Sequence, residues 1–276
     1  MNTQRLDQLN LMNTVVTLTT TILNETHKGL MLAWNYKVDL ILEVFIMGFS
    51  FIGLSFLVGG GRLEGEQLSA SLIGYLVWFF AIKAISDMSS NLKDEMQAGT
   101  LEQMFMSPTD TGFLVLGRSM STLLTTTVIA ALIAIGPMFL LKIRLPLSPA
   151  AVPVFIITIS GLYGFGFAVG GFTLIYKQAN SLSDLVQYGL VFLNGALLPI
   201  DRFPSWLAFI ARLLPTTQGI IVLRQVTVDG MSLAETWQAG TLVWLIIHSA
   251  VFLLLGWLIF KWCEKIARQR GLLGQY

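Results

Sequence analysis

The sequence predicts an all-α polytopic membrane protein: six transmembrane helices, an amphipathic or interfacial N-terminal helix, and a re-entrant helical hairpin between the fifth and sixth spans. Three observations carry that expectation. Hydrophobic residues make up 54% of the 276 residues and charged ones only 12%, where a soluble domain averages about 25% charged. Six stretches approach the roughly 20 apolar residues that a bilayer-crossing helix needs. The charges gather between those stretches and at the chain ends, in particular in a polar insert at Asp94–Pro108.

The elements follow in order. Residues 1–37 form a cytoplasmic or interfacial N-terminal helical segment. Leu11, Val15, Leu18 and Ile22 recur at helical spacing, which suits a helix lying on the membrane or packed beside it; a soluble helix fits the same pattern. Met1–Asn10 is polar, the following apolar run is short and rich in threonine, and no small-residue cleavage site follows, so a secretory signal is not expected. Residues 38–262 form the transmembrane domain, with spans at Val38–Val58, Leu68–Ile85, Leu116–Leu141, Ala150–Tyr176, Leu182–Leu198 and Gly240–Trp262. The fifth is the shortest and is closed by Pro199. Between the fifth and sixth spans, 199–239 is semi-apolar and broken by Pro204, Pro215, Gly219 and Gly230. Phe203–Leu214 is too apolar for a free loop and is expected to dip into the membrane without crossing it; an extramembrane loop with one amphipathic helix is the alternative. Residues 263–276 form a basic tail.

Lysine and arginine set the orientation. With both termini cytoplasmic, that side collects Lys261, Lys265, Arg268 and Arg270 together with Lys83, Lys93 and Arg118, and the insert faces the cytoplasm. Trp34, Tyr36 and Lys37, and at the other end Trp257, Lys261 and Trp262, read as interfacial anchors.

Polar groups within spans narrow the reading. Glu43 and Lys83 fall at similar depth near the cytoplasmic ends of the first two spans. An ion pair between them would avoid the cost of about 2.5–3.5 kcal/mol for a lone charge in lipid; separate snorkelling to the interface is the alternative. His248, inside the sixth span, is expected to be neutral and hydrogen-bonded rather than proton-handling. Gly166-x-x-x-Gly170 gives the fourth span a small-residue face for packing within the chain or at a dimer seam. Asn194 and Gly195 bracket the end of the fifth span.

Several chemistries are absent from the sequence. It has no G-x-x-x-x-G-K-[ST] loop, no G-x-S-x-G elbow and no H-E-x-x-H, with two histidines (His27, His248) and one cysteine (Cys263) in all. No basic face suited to nucleic acid appears. Catalytic, cofactor and metal sites are therefore not expected in this chain, which leaves transport, a channel or a scaffold.

Two segments carry a family resemblance. The first is Glu95-Met96-Gln97-Ala98-Gly99-Thr100-Leu101-Glu102-Gln103-Met104 with Ser107-Pro108. The second is Asn194-Gly195-Ala196-Leu197-Leu198-Pro199, then Phe203-Pro204-Ser205-Trp206-Leu207, Leu214-Pro215-Thr216-Thr217 and Arg224. Together they resemble membrane subunits of ABC exporters of the ABC-2 type. Asn194 departs from the serine found in many relatives, and the long Thr-rich N-terminus has no counterpart in the resemblance.

The resemblance implies a specific assembly. The segment 91–108 would be a cytoplasmic coupling helix docked on an ATPase. Gly99 would supply its turn, Thr100 would cap the helix that follows, and Leu101, Met104 and Phe105 would be the apolar knobs. Lys93, Asp94, Glu95 and Glu102 would form a charged rim and Pro108 would end the element. Pro199, Phe203, Pro204, Trp206, Leu207 and Pro215 would shape an outer gate, and Gly166, Gly170 and Gly195 would allow close packing. Two separate ABC ATPase subunits would bind the ATP and Mg, and a second permease subunit, identical or homologous, would complete the pathway in the plasma (inner) membrane, surrounded by lipid. The apolar, Met- and Phe-rich spans suit an amphipathic, lipid-linked or hydrophobic substrate moved outward: a drug, a glycolipid or a lipid-linked polysaccharide. The alternatives are a secondary transporter, which predicts midplane charges and two related halves, and a non-transporting scaffold that docks a soluble partner.

Overall fold

The computed structural model describes residues 3–59, 65–106, 111–143, 145, 148–176, 179–196, 200 and 203–271, and among these there is no strand. The described residues form eleven helices in order: α1 (Thr3–Asn35), α2 (Lys37–Val58), α3 (Gly65–Gln97), α4 (Leu101–Met106), α5 (Thr111–Leu140), α6 (Ala151–Ile175), α7 (Ala179–Leu193), α8 (Ser205–Leu213), α9 (Pro215–Thr227), α10 (Leu233–Gln238) and α11 (Thr241–Gln269). The chain is all-α and polytopic. Helices α2, α3, α5, α6 and α11 are each long and apolar enough to cross a bilayer, and α8 with α9 form a broken pair bent by 89°.

The glycines of α6 explain the centre of the bundle. A Cβ at Gly161, Gly164 or Gly171 would run into Ser249, Leu253 or Phe260 of α11, and one at Gly166 or Gly170 into Ala84 or Met88 of α3. Helix α6 thus has two small-residue faces, and both are used inside the chain. Gly256 of α11 meets the Gly164 backbone so closely that no side chain fits between them. Around this seam, Phe167 contacts Trp257 and Phe260 edge to face, with ring centroids 5.4 and 5.5 Å apart.

Helix α3 is the most enclosed span and α2 the least. Their main link is aromatic: Tyr75 packs between Phe51 and Trp78 at 5.3 and 5.1 Å and donates its hydroxyl to the Met47 carbonyl at 2.9 Å. Near the other end of the same pair, Lys83 and Glu43 form an ion pair.

At the first of three places the structure departs from the sequence reading, and at the other two it fills that reading in. The fifth predicted span ends early: α7 has 15 residues, about 22 Å at 1.5 Å per residue. Its stop is local, because the Asn194 side chain accepts the Ala196 N–H at 2.8 Å and Gly195 takes φ +75°, which ends the helical bonding at Asn194–Ala196. Second, α1 is one 33-residue helix whose described side chains pack along α5: Thr26 donates to the Gly117 carbonyl at 3.0 Å, Ile22 covers Gly117, and Gly29 lies against Ser121. The side chains of Leu11, Val15 and Leu18 lie outside those described. Third, as the expected helical hairpin requires, the described part of 199–239 holds α8, α9 and α10. Pro215 opens α9 at a position where a missing N–H costs little, and α9 is buried almost throughout.

Candidate functional site

The polar insert folds as a corner, not as one helix. Helix α3 runs on past its apolar part to Gln97, the chain reverses over Ala98–Thr100, and α4 occupies only Leu101–Met106. Gly99 has φ +68°, its N–H donates to Met96 O at 3.1 Å, and the Thr100 N–H donates to Glu95 O at 3.0 Å. Those two bonds are the Schellman closure of α3, which requires the left-handed residue that glycine supplies without strain. A Cβ on Gly99 would meet nothing, so its role is conformational and not steric.

Within α4, Leu101, Met104 and Phe105 fall at i, i+3 and i+4 and so share one face. That face is buried in this chain, against Met88, Leu92 and Met96 of α3 and residues of α5, α6 and α11. The guanidinium of Arg268 sits 5.0 Å from the centre of the Phe105 ring, and Glu264 holds Arg268 at 2.6 Å. The three apolar residues expected to be docking knobs are therefore internal anchors. A six-residue helix has only one apolar stripe, and the bundle already occupies it. The side of the corner left to solvent carries Asp94, Gln97, Ala98, Gly99, Glu102, Gln103 and Met106, with Lys93 half-buried. Pro108 lies outside the described residues.

Glu95 is not on a rim. Its carboxylate takes the Thr100 hydroxyl on one side and Arg118 Nη1 at 2.8 Å on the other. Arg118 Nε reaches Glu25 at 3.1 Å, so one arginine on α5 ties the end of α3 to α1. Thr100 starts α4 through its carbonyl, which accepts the Met104 N–H at 3.0 Å, while its hydroxyl serves Glu95 rather than capping the helix. Behind this bracket is a cavity of about 410 Å³ lined by Glu25, Lys28, Asp87, Asp94, Glu95 and Arg118 among others. On its inner wall, Asp87 Oδ1 accepts from Asn91 at 2.5 Å and Thr122 at 2.7 Å, while Oδ2 is buried without a partner. The sequence reading used Arg118 only to count charge and did not use Glu25. Only the fold brings them together, since 93 positions separate them in the chain.

A second corner lies where α7 ends. Arg224 of α9 donates Nε to the Ala70 carbonyl at 2.9 Å and Nη2 to the Ala196 carbonyl at 3.0 Å. It thereby joins the start of α3 to the turn made by Asn194 and Gly195. A Cβ on Gly74 would strike both Ala196 and the guanidinium, so close backbone approach at Gly74 makes room for this contact. Of the predicted outer elements, Phe203 closes a turn onto Ile200 O at 2.9 Å and Pro204 immediately precedes α8. Trp206 is exposed, Leu207 half-buried and Pro215 buried; Pro199 lies outside the described residues. His248 is buried between Trp244 and Phe252, at 5.9 and 4.8 Å.

With this geometry in view, comparisons with known proteins are specific. The profile of the ABC-2 type transporter family matches residues 17–228, a stretch that runs from α1 through both corners to the end of α9. The chain is also similar to ABC transporter G family member 20 of Dictyostelium discoideum, 25% identical over 185 residues, covering 64% of this chain and 23% of that protein. The chain thus spans about a quarter of the length of the curated relative it matches. Its helices and the match over most of its length lead to one assignment: the chain belongs to the ABC-2 type transporter family and is a multi-pass membrane component of an ABC transporter.

Proposed function

We propose that this chain is the permease of an ATP-driven exporter that moves an amphipathic, lipid-linked or hydrophobic substrate outward across the plasma (inner) membrane. Two ATPase subunits on separate chains bind the ATP and Mg, two permeases (two copies, or one with a homologue) form the pathway, and both termini face the cytoplasm. The observation that carries the reading is the α3–α4 corner. Its apolar face is anchored in the bundle, and it presents Gln97, Gly99, Glu102, Gln103 and Met106 outward on a buttressed, rigid turn. A load-transmitting contact needs that combination of an exposed, mixed polar and apolar patch with internal bracing. Arg118 and Arg268 convey displacement of the corner to α1, α5 and α11. Phe203, Pro204, Trp206 and Leu207, at and before the bend into Pro215, make the outer gate.

Co-purification from gently solubilised membranes tests the partner, and substrate-stimulated ATP hydrolysis tests the activity. Glu102→Lys combined with Met106→Glu is expected to detach or uncouple the ATPase while leaving the membrane fold intact. A complex in which that variant binds the ATPase and stimulates it normally would remove the corner from the interface. Transport that persists without any ATPase, driven by an ion gradient, would favour a secondary transporter; a captured partner with no substrate-stimulated hydrolysis would favour a scaffold.

A further inference from the structure

A second concave region lies outside the corner, along the flank of α5. It has a volume of about 900 Å³ and lies between the end of α1, the first half of α2 and the middle of α5. Its walls include Trp34 of α1, Ile41 and Phe45 of α2, and Leu124, Val128 and Leu132 of α5. Thr125 and Thr127 also line it, but both spend their hydroxyl protons on carbonyls of their own helix, those of Ser121 and Leu123, at 2.9 and 2.7 Å. One charged side chain lines this groove, that of Lys37, the first residue of α2. Passing along α2 from Met47, which meets Tyr75, to Glu43, which meets Lys83, approaches the α4 end of α3. Lys37 therefore marks the end of the groove on the α4 side. Among the described residues no carboxylate pairs with it, and its ammonium lies 5.9 Å from the centre of the Trp34 ring. Asp39, two positions on, leaves α2 on another side and does not line the groove.

We infer that this groove is a site for an acidic glycerophospholipid of the leaflet on the α4 side, with acyl chain between α1, α2 and α5 and phosphate at Lys37. Dimensions argue for a lipid chain. Leu124 to Gly136 covers about 18 Å of α5 at 1.5 Å per residue, close to one leaflet's share of a hydrocarbon core about 30 Å thick. Spread over that length, the groove volume of about 900 Å³ leaves a mean cross-section of about 50 Å², whereas a helix about 10 Å across needs about 80 Å². A helix of a second copy is thus too wide to seat in it. Charge argues for an acidic head. An unpaired ammonium near the membrane surface attracts an anionic lipid, while a choline or ethanolamine head would bring its own cation to the same place. The lipid wedges α2, the least enclosed span, against α1 and α5. Its site shares no lining residue with the polar cavity behind the corner.

The groove can be filled without disturbing the chain. A Cβ on Gly136, at the far end from Lys37, meets nothing within 4 Å, so Gly136→Leu occupies the acyl site without a clash. Leu132→Trp is a second, independent filler at a half-exposed wall position. The test uses the full chain in nanodiscs of equal phosphatidylglycerol and phosphatidylcholine with matched chains, each supplied in turn with a diazirine on its acyl chain, and maps the labelled peptides. Segments 40–45 and 124–136 should be labelled about fivefold more by the phosphatidylglycerol probe (about 1 kcal/mol). Lys37→Gln should bring that ratio close to one and Lys37→Arg should keep it, while both fillers lower the phosphatidylglycerol labelling about tenfold (about 1.4 kcal/mol). Labelling spread over the exposed faces of α5 and α11 in proportion to their area would overturn the site. Equal labelling by the two probes, or a ratio that Lys37→Gln leaves unchanged, would overturn the head assignment. A segment labelled by neither probe would overturn the occupant, and disulfide cross-linking of two copies through Leu132→Cys would give the groove to a second copy instead.

Discussion

The two corners of this molecule are built on the same plan with opposite electrostatics. In each, a helix ends at a glycine with positive φ, Gly99 after α3 and Gly195 after α7, and in each an arginine from a distant helix braces the turn. Arg118 does so through two carboxylates, Glu25 and Glu95. Arg224 does so through two backbone carbonyls, those of Ala70 and Ala196. A bracket made of ion pairs depends on three side chains, is sensitive to charge and can be remade with other partners. A bracket made on carbonyls depends on one side chain and on backbone position alone. The first suits an element that must respond to a partner, and the second an element that must hold its shape.

The strongest way to break this comparison is to remove each arginine. Arg118→Met strands two partly shielded carboxylates and is expected to cost about 3 kcal/mol, read as a fall in thermal midpoint in detergent. Adding Glu25→Gln and Glu95→Gln should recover most of the loss. A triple variant no more stable than Arg118→Met would mean that the bracket is not ionic. Arg224→Met removes the side-chain donor from both carbonyls, although that of Ala70 still accepts within α3, and also removes a buried cation, so about 2 kcal/mol is expected. Arg224→Lys should not rescue it, because an ammonium cannot offer two donors in the fork geometry that reaches both carbonyls. Full rescue by lysine would make Arg224 a point charge and erase the distinction.

Much of the fold was legible because lipid imposes simple rules. Val38–Val58, Ala150–Tyr176 and Gly240–Trp262 read as spans from length and apolarity, and α2, α6 and α11 lie on them. The turn of the insert was legible at Gly99, but the one helix expected over 91–108 divides there into the end of α3 and the short α4. What was not legible depends on which of two faces a helix turns inward. Leu101, Met104 and Phe105 have the spacing of an apolar face, and the sequence cannot say whether a partner or the same chain covers it. The Arg118 bracket was hidden for a related reason, since nothing local links Glu25, Glu95 and Arg118. The end of α7 was missed because Leu197 and Leu198 extend the apolar run, while the stop is set by hydrogen bonding at Asn194.

The glycines sharpen the comparison at smaller cost. Gly99 faces open space, so Gly99→Ala isolates the price of a side chain at positive φ, about 1 kcal/mol. Gly99→Asn should lose less, because asparagine tolerates that region, and Gly99→Val more. Amide exchange at Thr100 and Leu101 reports the order directly. Three variants with equal exchange would mean that the turn persists without its left-handed residue.

The smallest effect is expected at a third helix boundary, where a carboxylate works without an arginine. Ser232 caps α10: the Glu235 N–H donates to Ser232 Oγ at 3.2 Å, and the Ser232 N–H donates back to the Glu235 carboxylate at 2.7 Å. This is a capping box. Those hydrogen bonds, first from the backbone and then from the hydroxyl, hold the Glu235 carboxyl below its ordinary value. A lowered folded value means that the stabilisation is fully present above the unfolded pKa of about 4.3 and is lost as pH falls through the folded one. Ser232→Ala keeps the backbone N–H and removes only the hydroxyl, so it should move the carboxyl titration of Glu235, followed by carbon NMR, part of the way up toward that ordinary value while the midpoint of global unfolding hardly changes, since the site is exposed. An unmoved titration would mean that the Ser232 hydroxyl does not help to set this carboxylate and that the backbone N–H alone does. A large change in global stability would mean that even an exposed cap is coupled to the bundle, and rigidity would then no longer distinguish the two arginine-braced corners from the rest of the surface.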